Sequence, residues 1–392
     1  MGRLVFAPPV RIDYEVGRWF FMIYRKRAAC FLLILSVFCS CLPAQAAVGV
    51  SARSAVLYDA DLDVVLWQKD ADQQLPMAST TKLMTALVAA QHTRPTDIVT
   101  AKAEYLRVEG SSMYLKAGEK LTMGELLHGL LLMSGNDAAQ TIAGHIAGGN
   151  DSFAVLMNET AAALDMEHSH FMNPSGLDHE AHYTTANDMA LLADAVLQND
   201  LLRQIVATKN YHGQAHNMSN HNRLLSLYPD AVGMKTGFTK KSGRCLVSAA
   251  KRDGKTLICV TLNAPDDWND HISLFEYGFS LYSPQELVQK GQRMESASVV
   301  SGVVARAPVY AAGSLSVSLT EEQCAQVTSQ VLAPQFVYAP VHAGQQYGEL
   351  RFLLYGKELG RVPLCFLQDV PEEPELTLKE RIALIAKRFI FW

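Results

Sequence analysis

The 392-residue sequence predicts an α+β fold: helices packed on an antiparallel sheet, then a small all-β domain and a C-terminal amphipathic helix. Three observations lead to it. Apolar residues recur at helical spacing through residues 80–197, two β-rich runs joined by an Asp-Gly follow, and after residue 286 helical periodicity gives way to short β-like runs. With 49% hydrophobic and 19% charged residues the chain is not disordered, and its length accommodates more than one domain. A formal charge of −5 argues against nucleic acid as a main partner.

The first 46 residues read as a signal for export. Arg25-Lys26-Arg27 precedes an apolar core from Cys30 to Leu42, and Pro43-Ala-Gln-Ala46 ends it with small residues two apart. That core is shorter than the roughly 20 apolar residues a spanning helix needs. Met22 lies just before the basic cluster, so residues 1–21 read as an over-extended start. Removal of residues 1–46 leaves 346 residues. The six basic and two acidic side chains lost with them take the charge to −9. Four of the seven cysteines remain, Cys245, Cys259, Cys324 and Cys365, whose pairing the sequence leaves open. No C-x-x-C pair occurs, so a zinc ribbon is not expected.

Residues 47–276 form the first expected domain. Thr80 to Ala90, Met123 to Met133, Phe153–Leu164 and Thr185–Leu197 carry helical apolar spacing. Gly243–Ala250 and Thr256–Leu262, linked by Arg252-Asp253-Gly254-Lys255, read as a hairpin. Residues 286–370 form the second, a β-sandwich-like domain, with runs at Ser298–Val304, Ser314–Leu319, Glu349–Leu354 and Gly360–Leu367. After Pro371-Glu-Glu-Pro374, residues 376–392 place Leu378, Ile382, Ile385, Phe389 and Trp392 on one helix face. This segment carries +3, whereas residues 47–375 carry −12. A short, basic, aromatic-ended amphipathic helix fits the membrane interface, as a peripheral anchor.

The sequence lacks G-x-S-x-G, H-E-x-x-H, a P-loop and G-x-G-x-x-G. His168, His170, His179, His182, His212, His216 and His221 cluster in loop-like stretches, without a helical H-x-x-x-H bearing a partner Glu. They read as surface or loop histidines, with no metal and no cofactor implied. More informative are Ser79-Thr-Thr-Lys82 at the start of a helix, Ser134-Gly-Asn136 between two helical runs, and Lys235-Thr-Gly237 before the hairpin. Ser248-Ala-Ala-Lys251 is a second S-x-x-K, but it lies on a strand, where residues three apart face opposite sides. At a helix start they share a face, so Ser79 and Lys82 can touch.

A serine hydroxyl needs a base to take its proton, and a lysine can serve if its amine is neutral. The helix dipole beside Lys82 and the nearby Lys235 both push that way. Ser134 would pass a proton from Lys82 to the departing amine, and Asn136 would hold a substrate amide. Lys235 and Thr236 would bind a carboxylate, with Gly237 letting substrate backbone approach the strand. The backbone N–H groups of Ser79 and Phe238 would form an oxyanion hole.

The ordered trio S-x-x-K, S-x-N and K-T-G resembles the D-alanyl-D-alanine carboxypeptidases, the low-molecular-mass penicillin-binding proteins. The likeness extends to Met77-Ala-Ser-Thr-Thr-Lys-Leu-Met-Thr85, Leu132-Met-Ser-Gly-Asn-Asp-Ala-Ala139, Asn173-Pro-Ser-Gly-Leu177, His182-Tyr-Thr-Thr-Ala186, Asn222-Arg-Leu-Leu225 and Gly233-Met-Lys-Thr-Gly-Phe-Thr239. The resemblance implies a β-lactamase/DD-peptidase-like domain and removal of the terminal D-Ala from peptidoglycan stem pentapeptides through an acyl-enzyme on Ser79. It also implies β-lactams as covalent inhibitors. Met77 replaces a frequent proline and Asp165-Met166 a frequent Gly-Met, both outside the presumed chemistry. A class A β-lactamase would need a glutamate-activated water, and no E-x-x-L-N segment lies between Ser134 and Lys235. A DD-endopeptidase uses the same site. A catalytically silent wall-binding protein would explain neither Ser79 nor Lys82.

Overall fold

In the computed structural model the described residues are 48–375 together with 377, 379, 380 and 382. The expected signal at 1–46 and most of the expected helix at 376–392 lie outside them. Among the described residues no helix is long and apolar enough to cross a membrane.

The first domain is built on a five-stranded antiparallel sheet. Its strands are β1 (Ser54–Asp59), β2 (Val64–Lys69), β3 (Ala231–Thr239), β4 (Gly243–Arg252) and β5 (Lys255–Leu262), in the order β2-β1-β5-β4-β3. The β4–β5 hairpin turns at Asp253-Gly254, both with positive φ, as the Asp-Gly pair requires. The N-terminal strand β1 pairs with β5 from Ser54↔Leu262 to Asp59↔Leu257, closing most of the domain's sequence into one loop. Every residue of β1 is buried, which is why it carries no alternating pattern to read.

Successive residues of β1 face opposite ways and meet different helices. Val56 and Tyr58 join the large core formed with α1 (Lys82–His92), α2 (Met123–Leu132), α3 (Asn136–Ala147), α4 (Asn150–Ala163), α5 (Ala186–Gln198) and α6 (Asp200–Ala207). Leu57 faces α7 (Asp267–Ser280), where Gly278 packs so tightly that a Cβ would lie 2.6 Å from Leu57 Cδ2 and 2.7 Å from Leu257 Cδ1. Helices therefore cover both faces. Capping marks the starts: Thr122 and Glu125 form a capping box on α2, and Thr185 caps α5.

The second domain contains β6 (Ser283–Val288), β7 (Ala297–Val300), β8 (Val309–Ala311), β9 (Leu315–Leu319), β10 (Thr328–Leu332), β11 (Gln346–Leu354) and β12 (Lys357–Phe366). A four-stranded sheet in the order β8-β12-β11-β10 is joined by the β6–β9 pair and by a small sheet around β7. The run expected at Ser298–Val304 ends as a strand at Val300, because Ser301 takes φ +59°. The connection expected at 355–360 shrinks to the tight turn Tyr355-Gly356. A short helix, Glu321–Ala325, interrupts the β runs behind its own capping box. Leu62, Leu319 and Leu354 form a buried cluster between the two domains, and Lys357 Nζ reaches Asp61 O at 3.0 Å and Asp63 Oδ2 at 2.6 Å. Cys245, Cys259, Cys324 and Cys365 are all free thiols.

Candidate active site

Ser79 sits on one turn of 3-10 helix, Ala78–Thr81, that runs directly into α1. Ala78 before it holds φ +48°, a left-handed conformation that disfavours a Cβ. The surroundings enforce that conformation. Ala78 O accepts from Thr81 Oγ1 at 2.8 Å, and Gly176, itself at φ +85°, packs against the same carbonyl so closely that any Cβ there would collide with it.

Thr81 Oγ1 also lies 2.8 Å from His182 Nε2, while His182 Nδ1 accepts from Met172 N at 3.0 Å. The imidazole therefore carries its proton on Nε2 and donates to Thr81, which donates to Ala78. Burial keeps the ring neutral, its pKa pushed down to about 4. His182 lies in a loop, as expected, but not at the surface: its ring is buried and braces the turn that carries Ser79.

Lys82 is the first residue of α1, and its side chain is 0% exposed. Its Nζ donates to Ser79 Oγ at 2.9 Å and to Ser175 O at 2.5 Å. Burial, and next the charge of Lys235, hold its pKa well below the ordinary lysine value. The Ser175 carbonyl is aimed by Asn173, whose Oδ1 accepts from the backbone N–H of Ser175 (3.2 Å), Gly176 (2.8 Å) and Leu177 (3.2 Å).

Ser134 sits in the middle of the α2–α3 connection at φ +60° and faces the same cleft as Ser79. Among the described residues it makes no hydrogen bond to Ser79 or Lys82. Asn136 opens α3 with its Nδ2 on Glu109 O and its Oδ1 buried without a partner. Asp137 is buried beside it and organises the facing loop. Its Oδ1 accepts from Met113 N at 3.0 Å; its Oδ2 accepts from Leu115 N at 3.0 Å and from Ser112 Oγ at 2.6 Å.

Lys235, Thr236, Gly237 and Phe238 lie on β3, which precedes the hairpin, as expected, and is itself a strand of the sheet paired with β4. Lys235 is buried, donates to Thr236 O at 2.8 Å, and has its pKa lowered to about 7 by desolvation. A Cβ at Gly237 would lie 3.0 Å from the backbone nitrogens of both Ser79 and Thr80. Gly237 thus permits the close approach of β3 to the turn that carries Ser79.

A cleft of about 400 Å³ is lined by Ser79, Ser134, Thr236, Gly237 and Phe238, so five of the eight expected residues share it. Lys82 lies beneath Ser79, while Asn136 and Lys235 are buried outside the lining. Sequence reasoning assigned nothing to Arg244, Asp267 and Trp268, which close one part of the cleft. Arg244 donates twice to Asp267 Oδ1, at 2.9 and 2.7 Å, and its guanidinium lies 5.4 Å from the Trp268 ring centre. It also missed the brace of Ser175, His182 and Asp137. The family-like stretches at 132–139, 173–177 and 182–186 were the available signal for all three. Among the described residues no glutamate lines the cleft.

A serine hydroxyl above a buried lysine amine, set where a helical layer meets the edge strand of an antiparallel sheet, is the arrangement a serine acyl-transfer peptidase requires. Comparison with known proteins makes the assignment specific. The family model for D-alanyl-D-alanine carboxypeptidase matches residues 42–266, and that for the C-terminal domain of penicillin-binding protein 5 matches residues 282–372. The chain is 28% identical over 344 residues to the D-alanyl-D-alanine carboxypeptidase DacF of Bacillus subtilis (strain 168), covering 84% of this chain and 88% of that protein. It is 32% identical over 342 residues to DacC of Escherichia coli (strain K12), covering 83% and 85%. Penicillin-binding protein 5 from Haemophilus influenzae superposes with a TM-score of 0.60 at 25% identity, over 83% of this chain and 98% of that one. The chain belongs to the D-alanyl-D-alanine carboxypeptidase family. It is a serine-type D-Ala-D-Ala carboxypeptidase, a penicillin-binding protein whose substrate is peptidoglycan. The β-lactamase reading is not favoured.

Proposed function

We propose that Ser79 is the nucleophile and neutral Lys82 its base. The observation that carries this reading is the 2.9 Å contact between Lys82 Nζ and Ser79 Oγ on an amine stripped of water and set near a second lysine. Lys82 takes the hydroxyl proton as Oγ attacks the carbonyl carbon of the penultimate D-Ala. The backbone N–H groups of Ser79 and Phe238 receive the oxyanion. The C–N bond breaks as Ser134 returns the proton to the leaving D-Ala nitrogen. Water then attacks the ester carbonyl as Lys82 accepts its proton, and the acyl–Oγ bond breaks as Lys82 returns that proton to Ser79 Oγ. Lys235 and Thr236 bind the terminal carboxylate, and the partnerless Asn136 Oδ1 accepts a substrate amide N–H. A β-lactam ring opens on the same Oγ.

The substrate is the stem pentapeptide. We further assign residues 47–276 to catalysis, 286–370 to a β-sandwich-like domain, 1–46 to an export signal, and 376–392 to a peripheral anchor on the extracytoplasmic face of the membrane. The charge contrast between the tail and the rest of the chain supports that placement. D-Ala release from a D-Ala-D-Ala pentapeptide by the wild type, and its loss in Ser79→Ala, tests the chemistry. Retention of activity on the membrane by the full chain, and in the soluble fraction after deletion of 376–392, tests the anchor.

A further inference from the structure

A second cleft of about 330 Å³ shares Arg223 with the catalytic cleft and has no assigned role. Beside Leu225 and Leu227 its lining is polar and cationic, with Lys209, Asn220, Asn222 and Arg223 among the contributors and no acidic side chain. Among the described residues neither Lys209 nor Arg223 has an ion-pair partner, although most other arginines of this domain do.

Asn222 supplies the independent observation. Its side chain is only 3% exposed, and its Oδ1 is fixed by accepting from Leu224 N at 3.1 Å, which fixes the amide the other way round. Its Nδ2 is then a buried donor with no partner. Such a group costs on the order of 1–3 kcal/mol unless something accepts from it. The cleft is also preorganised. Asn220 N donates to Lys209 O at 2.8 Å, while Asn220 Nδ2 holds Val206 O and Thr208 O at 3.4 and 3.0 Å, so the base of Lys209 is pinned without using its ammonium.

We propose that this cleft is a substrate subsite for a carboxylate that the stem peptide carries upstream of its D-Ala-D-Ala end, with Lys209 and Arg223 as counter-charges and Asn222 Nδ2 as a donor. The proposal rests on the carboxypeptidase reading for its substrate, because Arg223 joins the cleft to the one that holds Ser79. Two unpaired cations and an orphan donor select an anion with acceptor oxygens over an amide, which brings its own N–H groups and no charge.

The test separates binding from catalysis. A stem tripeptide with a free side carboxylate, and its carboxamide twin, are titrated calorimetrically into the Ser79→Ala protein. The acid is expected to bind about fivefold tighter than the amide, the range of a partly exposed ion pair. Lys209→Ala, outside the catalytic cleft, removes that preference, and Lys209→Arg restores it. With active enzyme, the same ratio appears in kcat/KM for D-Ala release from the matching pentapeptides, while Lys209→Ala leaves the amide substrate unchanged. Equal binding of acid and amide, or a preference that survives Lys209→Ala, overturns the subsite. Absence of D-Ala release from both pentapeptides would instead overturn the carboxypeptidase reading, with the tripeptide binding still deciding the subsite.

Discussion

The two domains handle buried polarity in opposite ways. The first encloses Lys82, Lys235, Asp137, His182 and His271, whereas beyond residue 282 the only described buried polar side chain is Gln323. The charges of the second domain stay near the surface, in the Arg351–Glu358–Arg361–Glu349 cluster across β11 and β12. Desolvating an ammonium opposes folding and is tolerated only where it serves something else. Two buried lysines, one of them on Ser79 and the second close enough to act on the first, therefore set the first domain apart from a second domain whose core is nearly all apolar and whose charges lie at the rim.

Removing a buried amine from the first domain has the largest expected effect. Lys82→Met should lower D-Ala release by at least about a thousandfold, since the serine loses its base. The same variant should melt higher than the wild type, because a desolvated amine gives way to a side chain at ease in the core. A lower melting temperature, or residual turnover near wild type, would count against the assigned role. Next in size comes Gly176→Ala. The new Cβ runs into the Ala78 carbonyl at a backbone angle that already disfavours it, and a loss of roughly 2–4 kcal/mol on urea denaturation is expected. Penicillin acylation should slow in parallel, because the turn that carries Ser79 moves.

Proton linkage sharpens the comparison further. Lys235 has a folded-state pKa near 7 against an ordinary 10.5, so between those values the unfolded chain binds the extra proton. Stability from this group therefore rises with pH across that window. Lys235→Met should melt higher than the wild type at pH 7, with an advantage that shrinks steadily by pH 9. A pH-independent difference would mean that Lys235 is not desolvated. The smallest effect belongs to the junction: Lys357→Ala removes an exposed pairing with Asp63 and should change stability by no more than about 1 kcal/mol and leave kcat unaltered.

Sequence pattern made the helical layer and the last hairpin legible, because their apolar spacing and the Asp-Gly turn are local signals. It did not reveal β1, whose fully buried residues have no alternation, nor α7, whose apolar face is narrow and starts with acidic residues. Lys235-Thr-Gly237 was recognisable as a motif but not as a strand, since Gly233 and Gly237 dilute the β signal. The same division holds in the site. Ser79 and Lys82 are three residues apart, so a helix turn predicts their contact. The Ser175 carbonyl on Lys82 and His182 behind Thr81 bridge 93 and 101 positions, and no local pattern reports such pairs.

The central claim is that Ser79 is acylated by virtue of the amine beneath it. The most direct measurement incubates the protein with penicillin and follows intact mass and peptide mass, alongside D-Ala released from a pentapeptide. The account expects a lasting adduct on the peptide containing Ser79, absent in Ser79→Ala and slowed strongly in Lys82→Met, with D-Ala release following the same order. An adduct on another residue, or D-Ala release that survives Ser79→Ala, would contradict it.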